Sequence, residues 1–351
     1  MQIRQMKLLP EVGSVKPATV FPVLALGLWA LQVIGLGIAT IPGAKAQSPI
    51  IIQFSHVVTA DTSKGKAALK FKELAEARTE GKVRVEVYPN SELYKDKEEL
   101  EALRLGAVQM LAPALSKLGG DFEVFDLPFL FKDHAAFRSV VNGPIGQNML
   151  QKLESRGMKG LGYWDNGFKV FTSNRPLQSV RDFKGLKIRV QASKVLVDQM
   201  QKLGAEPVVS PLIDVYKSLK DGRLDGEENT PINIDSQRLH EVQNNLTISN
   251  HGYLAYAVVV NKEFWERLPS DIRIALEGAL RDATAYENEL AEADNKKALE
   301  HMRKAGNLNV LALSPQEIKQ WRDVLSPVYQ DSRAWIDPAL VTSVLAATSP
   351  P

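Results

Sequence analysis

The sequence predicts an α/β protein of two doubly wound domains, and three observations carry that prediction. First, residues 183–231 alternate strand and helix with tight turns between them. Leu186, Ile188 and Val190 interleave with Lys187, Arg189 and Gln191 at a period of two, the mark of a strand. After Ser193, a side chain suited to an N-cap, Val195, Leu196, Gln199, Met200 and Leu203 recur at helical spacing until Gly204. The short run 207–209 reads as a buried strand, residues 214–219 as a helix, and 224–226 as the approach to a third strand. Second, residues 50–112 have the same layout without a detectable sequence repeat. Third, residues 271–305 form an uninterrupted helix whose stripe includes Leu276, Leu280, Ala283, Leu290 and Met302. At about 1.5 Å per residue it is roughly 50 Å long, more than one domain is wide, so it touches both domains or bends. A chain of 351 residues is long enough for two cores.

Residues 1–46 stand apart from this fold. Arg4, Lys7 and Lys16 precede an uncharged run over 17–44, and Ala44-Lys45-Ala46 fits a signal-peptidase site with cleavage before Gln47. The alternative is an uncleaved membrane anchor, since the run almost spans a bilayer. Residues 1–46 carry four of the 43 basic and one of the 41 acidic residues, so 39 basic face 40 acidic residues in the remainder. That balance argues against a nucleic-acid partner. The absence of cysteine excludes thiol catalysis and cysteine-bound metal.

The first unit then runs as a strand at 50–54, a helix from Ser63, a strand at 82–88, a helix at 96–105 ended by Gly106, and a strand at 108–112. The apolar stretch DFEVFDLPFLF (121–131) is expected to plug the core. Residues 134–153 read as one helix and 157–163 as a strand. Trp164-Asp165-Asn166-Gly167 reads as a turn where the chain crosses to the second domain. A strand at 251–260 brings it back, a strand at 309–313 and helix over most of 314–336 follow, and the last dozen residues look loosely held. The expected domains are therefore 47–166 with about 251–305, then 167–250, with 306–351 lying across both.

No G-x-S-x-G, G-x-x-x-x-G-K, G-x-G-x-x-G or H-E-x-x-H occurs, and His56, His134, His240, His251 and His301 lack metal-ligand spacing. Binding without catalysis, metal or cofactor is the expectation. In a parallel sheet, ligands gather beyond the carboxyl ends of the strands. Arg189, near the end of one strand, and Asn229, just past another, are expected to share that crevice. Arginine grips a carboxylate with two parallel hydrogen bonds, and an asparagine amide donates without adding charge. From the first domain, His56, Lys64 and Ser116 lie in loops that converge on the same place. Trp164 and Tyr253 either wall the pocket or belong to the core.

KIRV at 187–190, LGAEPVV at 203–209 and DVYKSLKDGRLDGEENTP at 214–231 together resemble the substrate-binding subunit of tripartite ATP-independent periplasmic (TRAP) transporters. The resemblance is to the DctP type, which takes up C4-dicarboxylates, and it extends from FSHVV at Phe54 to the long helix ending near Ala305. It implies a periplasmic binding protein of the Venus-flytrap kind, two lobes closing on a ligand, with a domain-spanning helix. It also implies export from the cytoplasm, membrane permease subunits as partners and an ion gradient as the energy source. The family's carboxylate-gripping arginine falls on Arg189 and its asparagine on Asn229. Lys169, in NGFKVFTSN, falls where sialic-acid-binding relatives carry a second arginine, which implies a point-charge contact and a different ligand. The expected function is capture of a small carboxylate, a C4-dicarboxylate such as succinate, malate or fumarate. The alternatives are a binding protein for another organic or sugar acid, a periplasmic enzyme acting on a carboxylate, and a membrane-anchored carboxylate sensor.

Overall fold

A computed structural model describes residues 48–348; the expected leader and its cleavage site lie outside them. Two mixed sheets organise the molecule. In the first, β1 (Ile50–Ser55) pairs in parallel with β2 (Val83–Tyr88) and with β3 (Met110–Leu111). The helices α1 (Ser63–Arg78) and α2 (Glu99–Arg104) form the crossovers. Thr62 caps α1, its Oγ1 accepting the Gly65 N–H at 3.1 Å, and Ser63 is the first helical residue. After α3 (Leu115–Leu118), residues 122–131 bury Phe122, Phe125 and Phe131 in the core, as the apolar composition requires.

The single helix expected over 134–153 is two, α4 (His134–Asn142) and α5 (Pro144–Lys152). Pro144 has no N–H to donate, and its ring excludes the preceding turn of helix, so it starts a new one. Strand β4 (Met158–Phe168) runs straight through the expected Trp164–Gly167 turn. Asn166 is accommodated as an extra residue opposite Leu254 and Ala255, and Gly167 takes φ 110°. Pairing with a long neighbouring strand overrides the turn propensity of Asp-Asn-Gly. The chain therefore leaves the first sheet at Lys169, one residue past β4.

The second sheet begins with β5 (Val170–Ser173). Next come β6 (Lys187–Val190), α6 (Lys194–Lys202), β7 (Glu206–Val209), α7 (Val215–Lys220) and β8 (Gly226–Asn229). Then follow α8 (Pro231–Ser236) and β9 (Asn245–Ile248). Ser193 caps α6 as expected. β6 is parallel to β7 and β8, but β5 runs antiparallel to β8 and β9. β7 lies at the sheet edge, which leaves it half-exposed where a buried strand was expected.

The chain returns through 250–252 into β10 (Tyr253–Asn261), which lies antiparallel between β3 and β4 in the first sheet. The two crossings touch, because the Lys169 N–H donates to the Gly252 carbonyl at 2.9 Å. After α9 (Lys262–Arg267), α10 (Ser270–Ala305) spans 36 residues. It packs on α1 and β4 of the first lobe and on α8 of the second. β11 (Asn309–Ala312) extends the second sheet beside β9. The helices α11 (Pro315–Leu325) and α12 (Pro327–Asp331) pack on α6. α13 (Pro338–Thr348) packs on α4 and α5. The expectation of a loose terminus fails there, because Val341 and Val344 are fully buried. No helix among the described residues is long and apolar enough to cross a membrane.

Candidate ligand-binding site

The carboxyl ends of β6 and β8 face the loops after β1 and β3 across a cleft between the lobes. Arg189 occupies the third position of β6 and is buried, with 1% of its surface exposed. Its Nε and Nη2 donate to the Ser210 carbonyl at 3.0 and 2.9 Å, which fixes the guanidinium plane. Its Nη1 has no hydrogen-bond partner among the described residues. Burying a guanidinium nitrogen without a partner is costly, so an anion there would complete the group.

Asn229, the last residue of β8, is held rigidly. Its Oδ1 accepts the Thr230 N–H at 3.0 Å and the Asn233 amide at 2.9 Å, while its Nδ2 donates to Glu227 at 3.3 Å. Arg189 and Asn229 line one small void of about 10 Å³ with Val57, Tyr256 and Leu212, room for a single water. Arg189 also lines an adjoining cavity of about 360 Å³ with Asp96, Lys117, Gln191 and Ser210.

The first lobe contributes a compact charge cluster. Lys117, in the short α3, bonds Asp96 Oδ1 at 2.5 Å and Glu99 Oε1 at 2.8 Å. Burial opposes the charge on Lys117, but Asp96 and Glu99 outweigh it and hold its pKa above the ordinary value. Burial also opposes ionisation of Asp96, yet Lys117 and Arg189 keep that carboxyl well below the usual range. Asp96 reaches the other lobe as well, its Oδ2 accepting the Leu212 N–H at 2.9 Å. Lys64, in the first turn of α1, donates to the Ala112 carbonyl at 3.1 Å and sits 3.7 Å from the Tyr256 ring centre. Burial, then repulsion from Lys117, pull its pKa down to about 7.

The remaining expected residues are placed differently. The Ser116 hydroxyl only adjoins the cleft, donating to Gln191 at 3.4 Å. His56 is buried beside Phe54, and burial and then Lys64 push its pKa down to about 3. Trp164 lies in the core against Phe54, its Nε1 donating to Thr284 at 2.9 Å. Tyr253 stacks on Phe137 and donates to Asp165 at 2.6 Å. Of the two alternatives open for these aromatics, both take the core.

Lys169 is buried, and its Nζ lies 2.9 Å from Glu228 Oε2 and 3.0 Å from Oε1. Glu228 alternates with Glu227 and Asn229 on β8, so it projects from the opposite face of the sheet. His251, stacked on Phe171, completes that group. The structure thus separates Lys169 from Arg189 and Asn229, and the cation opposite Arg189 in the cleft is Lys117. Lys117 was missed although it adjoins Ser116. Asp96, Gln191, Tyr256 and Glu227 were also missed, and of these only Gln191 and Glu227 had a visible signal, adjacency to the KIRV and GEEN motifs.

Residues 54–334 match the family model of the bacterial extracellular solute-binding proteins, family 7, the DctP family. The chain belongs to this family. It is 52% identical over 305 residues to the C4-dicarboxylate-binding periplasmic protein DctP of Rhodobacter capsulatus, covering 86% of this chain and 92% of that one. A TRAP periplasmic solute-binding protein from Shewanella oneidensis, solved with bound succinate, superposes with a TM-score of 0.84 at 42% identity, over 86% of this chain and all of that one. One from Pseudomonas aeruginosa, solved with bound L-malate, gives 0.79 at 41% identity, over 81% and 100%. As a family 7 protein, the chain carries the two-lobed fold of solute-binding proteins in transport, and its cleft is the place to seek the solute.

Proposed function

We propose that this chain captures a C4-dicarboxylate outside the inner membrane and presents it to the membrane permease subunits of a TRAP transporter. The observation that carries the reading is the buried Nη1 of Arg189. It is an unused charge-assisted donor beside the rigid Asn229 amide, with Lys117 on the opposite lobe. A linear acid with a carboxylate at each end bridges two cationic poles that a monocarboxylate engages singly. The likeness to dicarboxylate-binding relatives supports the same choice. In this reading the lobes hinge at the two touching crossings, Lys169 and residues 250–252.

The test is thermal unfolding of the full chain with succinate, L-malate or fumarate at millimolar concentration, beside galactonate and a neutral sugar. A ligand that binds only the folded state raises the melting temperature by mass action. The dicarboxylates are expected to shift it most. A shift with galactonate alone would reassign the cleft to sugar acids, and a shift with none would reject the reading.

A further inference from the structure

Glu227 lies on the Asn229 side of β8 with no cation at ion-pair distance among the described residues. It is fully buried on β8, two residues before Asn229 and on the same face. Its carboxylate receives only neutral donors, the Asn229 amide at 3.3 Å and the Thr172 hydroxyl of β5 at 3.4 Å. Arg189 stands opposite it in the β6–β8 register but spends two nitrogens on the Ser210 carbonyl. Its neighbour Glu228 faces the other side of the sheet, paired with Lys169. Across the cleft, Lys117 is already matched by Asp96 and Glu99.

Resting on the dicarboxylate reading above, a ligand carboxylate at Arg189 and Asn229 competes with Glu227 for the Asn229 amide. It also places a second anion beside a buried one. Two carboxylates sharing a dry site do not both stay ionised at neutral pH. We propose that Glu227 binds a proton from solvent when the dicarboxylate enters, so that ligand capture carries a proton into the cleft and weakens as pH rises. The step is an O–H bond formed on the Glu227 carboxylate, with the buffer as proton donor. Burial already pushes the Glu227 carboxyl up to about 7 in the free protein, against the pull of Arg189. Below that pH the proton is in place before binding. Above it each binding event takes up a proton, and affinity falls by up to about tenfold per pH unit.

Calorimetry of succinate, malate and fumarate binding to the full chain near pH 8, in phosphate and in Tris, reads this uptake directly. The expected result is a difference in observed heat between buffers equivalent to about one proton per ligand. Glu227→Gln is expected to abolish that difference and to raise the affinity near pH 8 toward the value near pH 6. Glu227→Asp, which keeps the carboxylate, and Lys64→Met are expected to retain the uptake. Equal heats in both buffers with a bound dicarboxylate overturn the proposal. So does full uptake in Glu227→Gln, or its loss in Lys64→Met, which would assign the proton to another group. No heat with any dicarboxylate rejects the ligand reading itself, and this inference with it.

Discussion

At the scale of single residues, three basic side chains that look alike in sequence do different work. Arg189 offers an unfilled donor to the cleft, so Arg189→Ala is expected to cost about 2–5 kcal/mol of dicarboxylate binding and, because its two buried hydrogen bonds to Ser210 go with it, to lower the melting temperature of the free protein as well. Calorimetry beside a ligand-free melt checks both halves, and unchanged affinity would remove Arg189 from the site. Lys169 is paired with both oxygens of Glu228, while its backbone N–H bonds the Gly252 carbonyl in the crossing between the sheets. Removing one member of a buried ion pair strands the other charge, at about 3–5 kcal/mol. Lys169→Met is therefore expected to lower stability in denaturant, with ligand preference among the acids retained. A variant of full stability that loses binding would return Lys169 to the ligand. Lys117 differs from both, since Asp96 and Glu99 share it and hold it charged.

At the scale of elements, β8 is where packing and function meet. It begins at Gly226, where an added Cβ would lie 2.4 Å from the Thr172 carbonyl of β5 and 3.1 Å from Ile188 of β6. Gly226→Ala forces those strands apart, with an expected cost of about 1–3 kcal/mol and a matching loss of affinity, because Asn229 ends the displaced strand. Parallel melting and binding measurements check it, and a fully stable Gly226→Ala would show that the sheet yields freely. α13 makes the opposite point about a terminus. Its amphipathic signal is weak, yet Val341 and Val344 are fully buried against the first lobe. A chain ending at residue 337 is expected to melt several degrees lower, as burial of two valines at about 1.5 kcal/mol or more each requires.

At the scale of the whole molecule, contacts across the cleft hold the lobes together in this structure. Leu212 N–H bonds Asp96, and Lys95 pairs with Asp214 at 3.1 Å. The Lys95–Asp214 pair is exposed and so weakly held; the free protein is expected to open on that side and close on its ligand, while Glu123 and Asp126 keep their bonds to α6. Small-angle scattering should show a smaller radius of gyration on adding dicarboxylate; superimposable curves would mean the lobes stay shut without it. Asp96 also ties stability to pH. A carboxyl held below its ordinary value contributes stability above that value, near pH 4, and loses it as pH falls through the folded-state value. Asp96→Asn is therefore expected to lose less melting temperature between about pH 6 and pH 3 than the parent chain. An identical acid profile would show that other carboxylates govern the transition.

The sequence by itself determined the alternation of strands and helices, both β-α-β-α-β units, the length of α10 and the crevice shared by Arg189 and Asn229. These are local: side-chain period, caps such as Ser193 and stops such as Gly204 act within a few residues. It misread the Trp164–Gly167 segment, where Asp-Asn-Gly favours a turn in isolation but β10, some 90 residues away, supplies a ladder of hydrogen bonds that outweighs it. It could not place Lys169, because which face of β5 and β8 meets the other lobe depends on how two sheets dock. Strand alternation says that Glu227 and Glu228 face opposite ways, not which of them meets the cleft. Only the tertiary structure decided that Glu228 would neutralise Lys169 and that Lys117 and Asp96 would face Arg189. Charge pairing acts through space between groups far apart in the chain, and its partners exist only once the lobes have come together.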